Sequence, residues 1–410
     1  MKKLMILGAG VYQLPLIRKA HSMGLHVTVV SPEGRYPGFA YADAVYPLDT
    51  RDGEGILAAA EKEGIDGIAT TGTDVAVRAL GLVCDRMKLT GIPLGAAEIL
   101  TDKARMKQAF GTAVSTPAFR IVRSEAEAAA AAAQIGYPVM VKACDSSGSR
   151  GISKVTSDGE IREAVQAARA CSRAEHIVVE EFAAGTEIGV DGFIRGGKLQ
   201  LFLPHAKDVH VAGAVCFPGG HRFPFRCSAA LHDAIRREME QVAAVTGMND
   251  CAFNADVMVT PDEKVFVLEA GGRCGATGIP ELITLHTGID YYAQIIRTAL
   301  GEPTDFRVMQ EQPCMSVLLF DDEDALVTGI DREAISQICA DPHNMVDTLS
   351  LDIREGDRIC RAENGTHRYG QLILKTDDAQ TAERVVKAVR QCIRKTEPPE
   401  KVHLAKAQGK

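Results

Sequence analysis

The chain has 410 residues, of which 46% are hydrophobic and 24% are charged, and this length suffices for two to four globular domains. Its net charge of −8 offers no basic face to nucleic acid. Its apolar runs fall short of the roughly 18 residues that a membrane helix needs. The 11 cysteines include no C-x-x-C pair, which is typical of reduced thiols. We therefore expect a cytoplasmic protein without nucleic-acid or membrane partners.

Residues 1–97 alternate between strand and helix patterns. The strands are LMIL, HVTVV, DAVYPL and DGIATTG. Helices are predicted over about 12–23, over GEGILAAAEKEG and over DVAVRALGLVCDRM, with Asp74 near the N-cap of the last one. Because β-α-β alternation builds a parallel sheet covered by helices, we predict a Rossmann-like first domain.

The turn after the first strand, GAGVYQ, imitates a dinucleotide-binding loop. Gln13 stands where that fingerprint has its third glycine, and the second strand ends at Ser31 rather than at an acid. A nicotinamide site is therefore disfavoured, which leaves a tight structural turn or a helix N-terminus that contacts a small substrate. The segment TTGTD, residues 70–74, also leaves two alternatives open, a substrate contact or helix capping.

A second α/β unit follows the first domain. Its helices are predicted over 98–111, 124–135 and 157–170, and its strands are AFRIV, PVMVK, ISKV and HIVVEEF. Between PVMVK and ISKV lies a loop of small and charged residues, 145–151, which follows a lysine.

Two hairpins come next in the chain. EIGVDGFI and KLQLFL flank Arg195-Gly-Gly, and AFNADVMVT and KVFVLEA flank Pro261-Asp-Glu. Helices are predicted over 229–246 and 281–300. Residues 204–226 show no clear period and are predicted to be irregular. The polar residues of this stretch include His205, Lys207, His210 and His221. Their spacing excludes a zinc site and leaves a substrate contact open.

The C-terminal part is predicted to be a small α+β subdomain. It has the strands MSVLLF, RICRAE and GQLILKT, followed by the helix DAQTAERVVKAVRQCIRK. The remaining tail is polar and carries two prolines, so we predict that it is flexible.

Residues suited to nucleotide phosphates recur in a fixed order. Lys103 lies in TDKARMK, and Lys142 ends a strand just before the loop 145–151. Lysines neutralise phosphates, and a loop of small residues can turn its backbone N–H groups toward an anion. This is not a Walker A loop, in which the lysine follows the loop and opens a helix. The chain that leaves the strand VVEEF can offer backbone groups to an adenine edge.

Two carboxylates on the second hairpin suit a hard cation. Asp256 and Glu269 lie on its two arms, where paired strands can turn them to one face, and Mg²⁺ prefers oxygen ligands. Arg273 follows and can stabilise charge on a transferring phosphoryl group. Each of these features alone is commonly structural. Their order and spacing together indicate an ATP site.

This set of residues resembles the ATP-grasp superfamily over about residues 1–320, most of all the branch of biotin carboxylase, the purine-biosynthesis ligases and the L-amino-acid ligases. The resemblance implies activation of a carboxylate by ATP and attack of an amine on the acyl phosphate, with Mg²⁺ or alternatively Mn²⁺. It implies that Asp256 and Glu269 bind the metal and that Lys142 and Arg273 are catalytic. The residues implied for the nucleotide are Lys103, Lys142, Ser146, Ser147, Gly148, Ser149, Gly151, Glu180, Glu181, Phe182, Ala183 and Glu187.

Within that set, the resemblance assigns Glu180 to Ala183 to the adenine hinge and Glu187 to the ribose. The chain departs from the family pattern at two positions. Gly271 stands where the family usually has an asparagine that serves as an extra metal ligand, which leaves the number of metal ions open. Asp256 replaces the commoner glutamate, so its side chain is one methylene shorter.

The resemblance also implies a fold that combines α/β and α+β parts. We expect a Rossmann-like pre-ATP-grasp domain over 1–97 and an ATP-grasp domain over 98–318, with a lid subdomain over about 115–183. The C-terminal α+β subdomain is expected over 319–397 and the flexible tail over 398–410.

The predicted activity is ATP-dependent ligation of a small-molecule carboxylate to an amine, and a homodimer is left open. The first alternative is a carboxylase-type or purine-pathway ligase. A phosphorylated substrate would need a basic cluster in the first domain, yet Arg35, Arg51 and Arg78 are spread along its sequence. The second alternative is a regulatory protein that binds nucleotide without catalysis, which the intact lysine, metal and arginine positions argue against.

Overall fold

The computed structural model describes residues 1–146, 148, 150–212 and 215–397. Its strands are β1 (Lys3–Leu7), β2 (His26–Val30), β3 (Ala44–Tyr46), β4 (Gly67–Ala69), β5 (Phe119–Val122), β6 (Val139–Ala143), β7 (Ile152–Val155), β8 (Ile177–Glu181), β9 (Thr186–Arg195), β10 (Lys198–Ala212), β11 (Val215–Phe223), β12 (Cys251–Val259), β13 (Val265–Gly271), β14 (Cys314–Leu319), β15 (Ala325–Ile330), β16 (Val346–Leu351), β17 (Arg358–Ile359), β18 (Gly370–Leu374) and β19 (Ile393–Thr396).

Its helices are α1 (Leu14–Ser22), α2 (Gly53–Glu63), α3 (Val77–Met87), α4 (Leu94–Leu100), α5 (Lys103–Phe110), α6 (Glu125–Ile135), α7 (Ile161–Ala170), α8 (Ala229–Thr246), α9 (Ile279–Thr287), α10 (Tyr291–Ala299), α11 (Arg332–Ala340) and α12 (Ala379–Gln391). Within the described ranges, every helix is too short or too polar to cross a lipid bilayer.

The N-terminal sheet is parallel, in the order β3-β2-β1-β4, as the β-α-β alternation predicts. Residues 4–7 of β1 are fully buried, which is expected of a strand that is covered on both faces. Helix α2 begins after Asp52, whose carboxylate accepts a hydrogen bond from the Gly55 amide at 3.0 Å. It ends at Gly64, whose φ of 62° favours glycine.

A second sheet is antiparallel, in the order β5-β8-β6-β7, and lies within the range predicted for the lid subdomain. Its core combines Val139, Val141 and Val179 of the strands with Ala132 and Val165 of α6 and α7. The Gly/Ser loop joins β6 to its antiparallel neighbour β7. The lysine before the loop therefore extends from a strand and does not open a helix.

A third group of strands, in the order β13-β12-β9-β10, carries the predicted metal acids. Asp256 of β12 is the direct cross-strand partner of Glu269 of β13, and its partner on β9 is Gly189. Because directly opposed residues of an antiparallel pair point to the same face, the two carboxylates share one face of the sheet.

The prediction of an irregular stretch over 204–226 is wrong, because β10 and β11 cover most of it. The polar residues His205 and Lys207 alternate along β10 because their side chains pair with carboxylates inside the protein. Pro204 and Pro218 add residues that are rare inside strands, which further obscures the pattern.

Two of the predicted helices are each divided. The range 98–111 falls on α4 and α5, which separate at Asp102, a residue that caps α5. The range 281–300 is divided into α9 and α10 because Gly288 ends the first with a φ of 76° and Asp290 caps the second. The helix predicted over 229–246 is present with those bounds.

The contacts divide the chain into two compact units. Unit 1 consists of residues 1–207 and 221–313, and unit 2 of residues 208–220 and those from 314 onward. Strands β10 and β11 therefore carry the chain from unit 1 into unit 2 and back.

In its described residues, unit 2 combines strands with the helices α11 and α12, in agreement with the predicted α+β subdomain. Strand β18 pairs with both β14 and β16, and β15 pairs with β17 and β19. Val385 and Val389 of α12 belong to the same core as Leu372 and Leu374 of β18.

Candidate active site

A cavity of about 520 Å³ in unit 1 is lined by several of the predicted site residues, among them Lys103, Ser146, Glu269 and Arg273. This volume is within the usual range of small-molecule sites. The N-terminal domain contributes Asp74 to the same wall. The fold thus brings together lining residues as far apart in the sequence as Arg51 and Arg273.

Lys103 joins three parts of this site. The Asp102 carboxylate caps α5 by accepting from the Ala104 amide at 2.8 Å, which fixes Lys103 at the first turn of the helix. Lys103 Nζ lies 3.0 Å from Glu269 Oε2 and donates to the Ser146 carbonyl oxygen at 2.9 Å. Its ammonium therefore links the start of α5, strand β13 and the lid loop.

Glu180 lies between two lysines in a buried cluster. Its carboxylate is 1% exposed, contacts Lys142 Nζ and lies 2.9 Å from Lys107 Nζ, which also donates to Thr116 Oγ1 at 2.5 Å. Burial alone would raise the pKa of Glu180, but the ammonium groups of Lys142 and Lys107 hold it below its usual value. The Glu180 side chain, assigned to the adenine hinge by resemblance, therefore holds the two lysines in place.

The sequence analysis did not identify Lys107 as a site residue, although its spacing from Lys103 indicated one. It follows Lys103 by four residues in TDKARMK, so both side chains lie on one face of α5. A lysine on the buried face of a short helix requires a charged partner, and Glu180 is that partner.

The lid loop and the hinge are partly described. Ser147 and Ser149 lie outside the described residues. Ser146 Oγ donates to the Arg150 carbonyl oxygen at 2.7 Å. Gly148 and Gly151 adopt φ values of 68° and 66°.

Strand β8 ends at Glu181, and the chain leaves it through Phe182 and Ala183. The Phe182 ring lies 3.6 Å below Lys154 Nζ, a cation–π contact that holds the start of this segment against β7.

A fourth lysine lies among the predicted acids. Lys207 Nζ contacts the Glu187 carboxylate and lies 2.8 Å from Asp256 Oδ1. Burial raises the pKa of Asp256 above its usual value, a shift that Lys207 opposes. Lys207 was predicted to lie in an irregular stretch, and the structure places it on β10, where it links the proposed ribose acid and a proposed metal acid.

Arg273 is held inside the site. Its Nη2 lies 2.7 Å from Asp74 Oδ2, its Nη1 donates to Asn254 Oδ1 at 3.2 Å, and the side chain is 15% exposed. Asp74 lies near the N-cap of α3, as predicted, two residues before Ala76. The helix-capping alternative for this segment is wrong, because the Asp74 carboxylate pairs with Arg273 and does not cap α3.

Asp191 is a further residue that the sequence interpretation missed. It is fully buried and accepts hydrogen bonds from Asn254 Nδ2 and the Gly275 amide, both at 2.7 Å. His205 Nε2 lies 3.0 Å from the same carboxylate. An aspartate inside the apolar run EIGVDGFI was the available signal, since a buried carboxylate needs partners.

The glycine turn of the first domain is filled by a side chain. The Gly10 amide donates to Gln13 Oε1 at 3.0 Å, and Gln13 Nε2 donates to the Thr71 carbonyl oxygen at 2.5 Å. A Cβ atom at Gly8 would lie 2.8 Å from Gln13 Oε1. This geometry favours the structural turn over a dinucleotide site, and it ties the turn to the segment that precedes Asp74.

The arginines of the first domain are closer together than their sequence positions indicate. Arg51 and Arg78 both line the cavity, together with Arg105, Arg150 and Arg173. Several of these cations also have acidic partners, as in the 2.9 Å contact between Arg78 and Glu98. The cavity therefore has a basic wall that could bind an anionic group.

The cysteines near the site are unsuited to nucleophilic catalysis. Burial raises the pKa of the Cys144 and Cys274 thiols to about 12, so both are protonated at neutral pH.

The ionisation of Glu269 should make the stability of the fold depend on pH in the acid range. Burial alone would raise its pKa, but Lys103 and then Lys142 lower it from 4.5 to about 2. Because the folded-state pKa is depressed, the pairing stabilises the fold above about pH 4.5, and this contribution is lost as the pH falls toward 2. In thermal unfolding scans, the difference in melting temperature between wild type and Glu269→Gln should shrink over that range. A difference that stays constant would contradict the prediction.

Comparisons with known proteins agree with this geometry. The family described as "D-ala D-ala ligase C-terminus" matches residues 109–299. The D-alanine–D-alanine ligase of Pseudomonas fluorescens is 26% identical over 297 residues, which cover 65% of this chain and 90% of the relative. The formate-dependent phosphoribosylglycinamide formyltransferase of a Synechococcus species is 27% identical over 340 residues, which cover 80% and 83%.

A solved structure extends the likeness to nearly the whole chain. The L-amino acid ligase from Bacillus licheniformis superposes with a TM-score of 0.79 at 17% identity, covering 97% of this chain and 99% of that one. At that identity the likeness supports the fold, while the sequence relatives support the class of enzyme. The matched family model and the sequence relatives support an ATP-grasp enzyme, an ATP-dependent ligase of the carboxylate–amine class.

Proposed function

We propose that the protein joins a small-molecule carboxylate to an amine in an amide or peptide bond, with ATP converted to ADP and phosphate. The observation that carries this proposal is one cavity that is lined by Lys103, Glu269 and Arg273, with Asp256 directly opposite Glu269 on the neighbouring strand. The names of the relatives support it, since two of them are ligases that join amino acids.

The proposed reaction has two steps. A carboxylate oxygen of the substrate attacks the γ-phosphorus, and the bond from that phosphorus to the bridging oxygen breaks, which yields an acyl phosphate and ADP. The amine nitrogen then attacks the acyl carbon, phosphate leaves with the electron pair of the C–O bond, and the nitrogen loses a proton to solvent. A nucleophilic side chain is not required, so the protein contributes positioning and electrostatic stabilisation.

The residues present fit a hard divalent cation. Asp256 and Glu269 share one face of the sheet, and the depressed pKa of Glu269 keeps it ionised at neutral pH. These carboxylates would hold Mg²⁺, or alternatively Mn²⁺, which supplies charge neutralisation to the phosphate oxygens when it is bound. The number of metal ions is open because Gly271 offers no side-chain ligand.

The lysines and the arginine have distinct proposed roles. Lys103 and Lys142 neutralise phosphate oxygens, and Glu180 holds Lys142 in place for this purpose. Arg273 stabilises the charge that develops on the transferred phosphoryl group. For the adenine, we propose the backbone of Glu181 to Ala183, since the Glu180 carboxylate is engaged by lysines. Glu187 remains the proposed ribose ligand.

A second candidate function is favoured by the basic wall of the cavity. Arg51, Arg78 and Arg173 could bind the phosphate of a phosphorylated amine. One relative acts, by its name, on phosphoribosylglycinamide with formate as the second substrate. This candidate uses the same ATP chemistry and differs in the substrate.

We further propose a cytoplasmic location, the domain division given above for residues 1–397 and a homodimer, while the tail predicted over 398–410 lies outside the described residues. Dimerisation would be tested by the mass in solution from light scattering, where a mass near 43.9 kDa would indicate a monomer.

The function is tested by phosphate release from ATP with Mg²⁺ in the presence of substrate panels. One panel pairs amino acids, and the other pairs formate or bicarbonate with phosphorylated amines. Glu269→Gln is the matched control, because it removes a proposed metal charge while nearly keeping shape. Release that requires both a carboxylate and an amine and fails in the control supports the proposal. Release that is independent of any carboxylate contradicts it.

A further inference from the structure

The space beside Gly271 is taken by a carboxylate from another part of the chain. A Cβ atom at position 271 would lie 3.0 Å from Asp74 Oδ1 and 3.6 Å from the Arg273 Cζ. An approach of 3.0 Å is tighter than side-chain packing normally allows. An asparagine at 271, the residue usual in the family pattern, would therefore press against Asp74. The absence of a side chain at Gly271 therefore leaves the space that the Asp74 carboxylate occupies.

The Asp74 carboxylate holds the proposed catalytic arginine from one side. It lies 2.7 Å from Arg273 Nη2, while Asn254 accepts from Nη1 at 3.2 Å on the other side. Asp74 is 26% exposed and Arg273 is 15% exposed, so water screens the pair only partly. A charge-assisted hydrogen bond in such a position fixes the orientation of a guanidinium.

The position of Asp74 is set by the N-terminal sheet. The segment 70–74 follows β4, where Thr70 Oγ1 donates to the Leu7 carbonyl oxygen and Thr71 Oγ1 donates to the Tyr12 carbonyl oxygen, both at 2.7 Å. The Thr71 carbonyl oxygen in turn accepts from Gln13. The strand end and the filled glycine turn therefore hold Asp74 in place against the ATP-grasp strands.

We propose that Asp74 is a positioning residue that orients Arg273 toward the transferring phosphoryl group, and that Gly271 makes the room it needs. The inference rests on the proposed role of Arg273 and adds a residue of the first domain to the phosphoryl-transfer site. Asp74 acts through the Arg273 guanidinium. Loss of the Asp74 carboxylate should therefore weaken binding of the phosphoryl group during its transfer and leave nucleotide binding nearly unchanged.

The test uses MgADP alone and MgADP with aluminium fluoride, which mimics a phosphoryl group in transfer and requires no knowledge of the substrates. Titration calorimetry gives the ratio of the two affinities for wild type and for four variants. These variants are Asp74→Ala, Gly271→Asn, the double variant of both changes, and Glu63→Ala. Glu63 is the control, since it is a partly exposed carboxylate of the N-terminal domain that pairs with Lys3 and lies outside the cavity lining.

Asp74→Ala should reduce the preference for the aluminium fluoride complex by about 10–100-fold, with the affinity for MgADP alone changed less than about 3-fold. Gly271→Asn should cause a similar loss because it displaces Asp74. The double variant should recover part of the preference, since the clash is gone and the amide lies beside the guanidinium. Glu63→Ala should match wild type.

Results that differ from these expectations would contradict different parts of the proposal. A wild type without preference for the aluminium fluoride complex contradicts the proposed phosphoryl-transfer function itself. A full preference in Asp74→Ala overturns the positioning role of Asp74. Additive losses in the double variant overturn the link between Asp74 and Gly271. If Asp74→Ala does not fold, Asp74→Asn replaces it, where an intermediate loss supports the proposal and a wild-type preference overturns it.

Discussion

Arg273→Ala should lower ATP turnover by about 10²–10³-fold, while the affinity for ATP changes only modestly. The reason is that a preorganised cation acts on charge that develops during phosphoryl transfer, which is absent from the bound ground state. The guanidinium is held between Asp74 and Asn254 in the wall of the cavity, so it is fixed before the reaction begins. Single-turnover rates with a working substrate pair, together with ATP titrations, measure both quantities.

Two further variants make this experiment specific. Arg273→Lys should recover only part of the rate, because a point charge does not replace the bidentate fork of a guanidinium. Arg307→Ala removes an arginine that is 81% exposed and pairs with Asp305, so its rate should match wild type. A wild-type rate in Arg273→Ala would refute the catalytic role and favour a nucleotide binder without catalysis.

Glu180→Ala should destabilise the protein by about 3–5 kcal/mol, because it leaves two lysines in a buried site without their counter-charge. For a domain of 150–250 residues this corresponds to a fall in melting temperature on the order of 10 °C. The lysines would also repel each other, so the affinity for ATP should fall as Lys142 moves. Thermal unfolding with and without MgATP measures both effects.

Glu181→Ala is the matched control for this experiment. It removes the neighbouring carboxylate on the same strand, but that side chain is exposed, so its effect should stay within about 0.5 kcal/mol. The double variant Lys107→Met with Glu180→Gln should be less destabilised than Glu180→Ala, since it removes one buried charge of each sign. Equal stability of Glu180→Ala and Glu181→Ala would contradict the role of Glu180 as the counter-charge.

The sequence predicted those features that depend on local patterns. The β-α-β alternation of the first domain, the two hairpin turns and the helix over 229–246 all follow from periodicity and turn residues. The common face of Asp256 and Glu269 also followed, because a hairpin with a known turn restricts which residues can lie opposite each other.

The features that were missed depend on contacts between distant segments. Lys207 and His205 obscured the strand pattern of β10 because their side chains face charged partners rather than an apolar core. The pairing of Asp74 with Arg273 spans 199 residues, and local spacing contains no signal for it. Lys107 and Asp191 could have been suspected as charges at buried positions, but their partners could not have been named.

Because β10 and β11 contain residues of both units, part of unit 2 is synthesised well before the rest of that unit. Residues 208–220 belong to unit 2, yet the remainder of that unit begins only at residue 314. At about 5–20 residues per second, a ribosome needs roughly 5–20 s to cover the interval. For that time the edge of β11 that borders β14 in the sheet lacks its partner, and an unpaired strand edge is a hazard for aggregation.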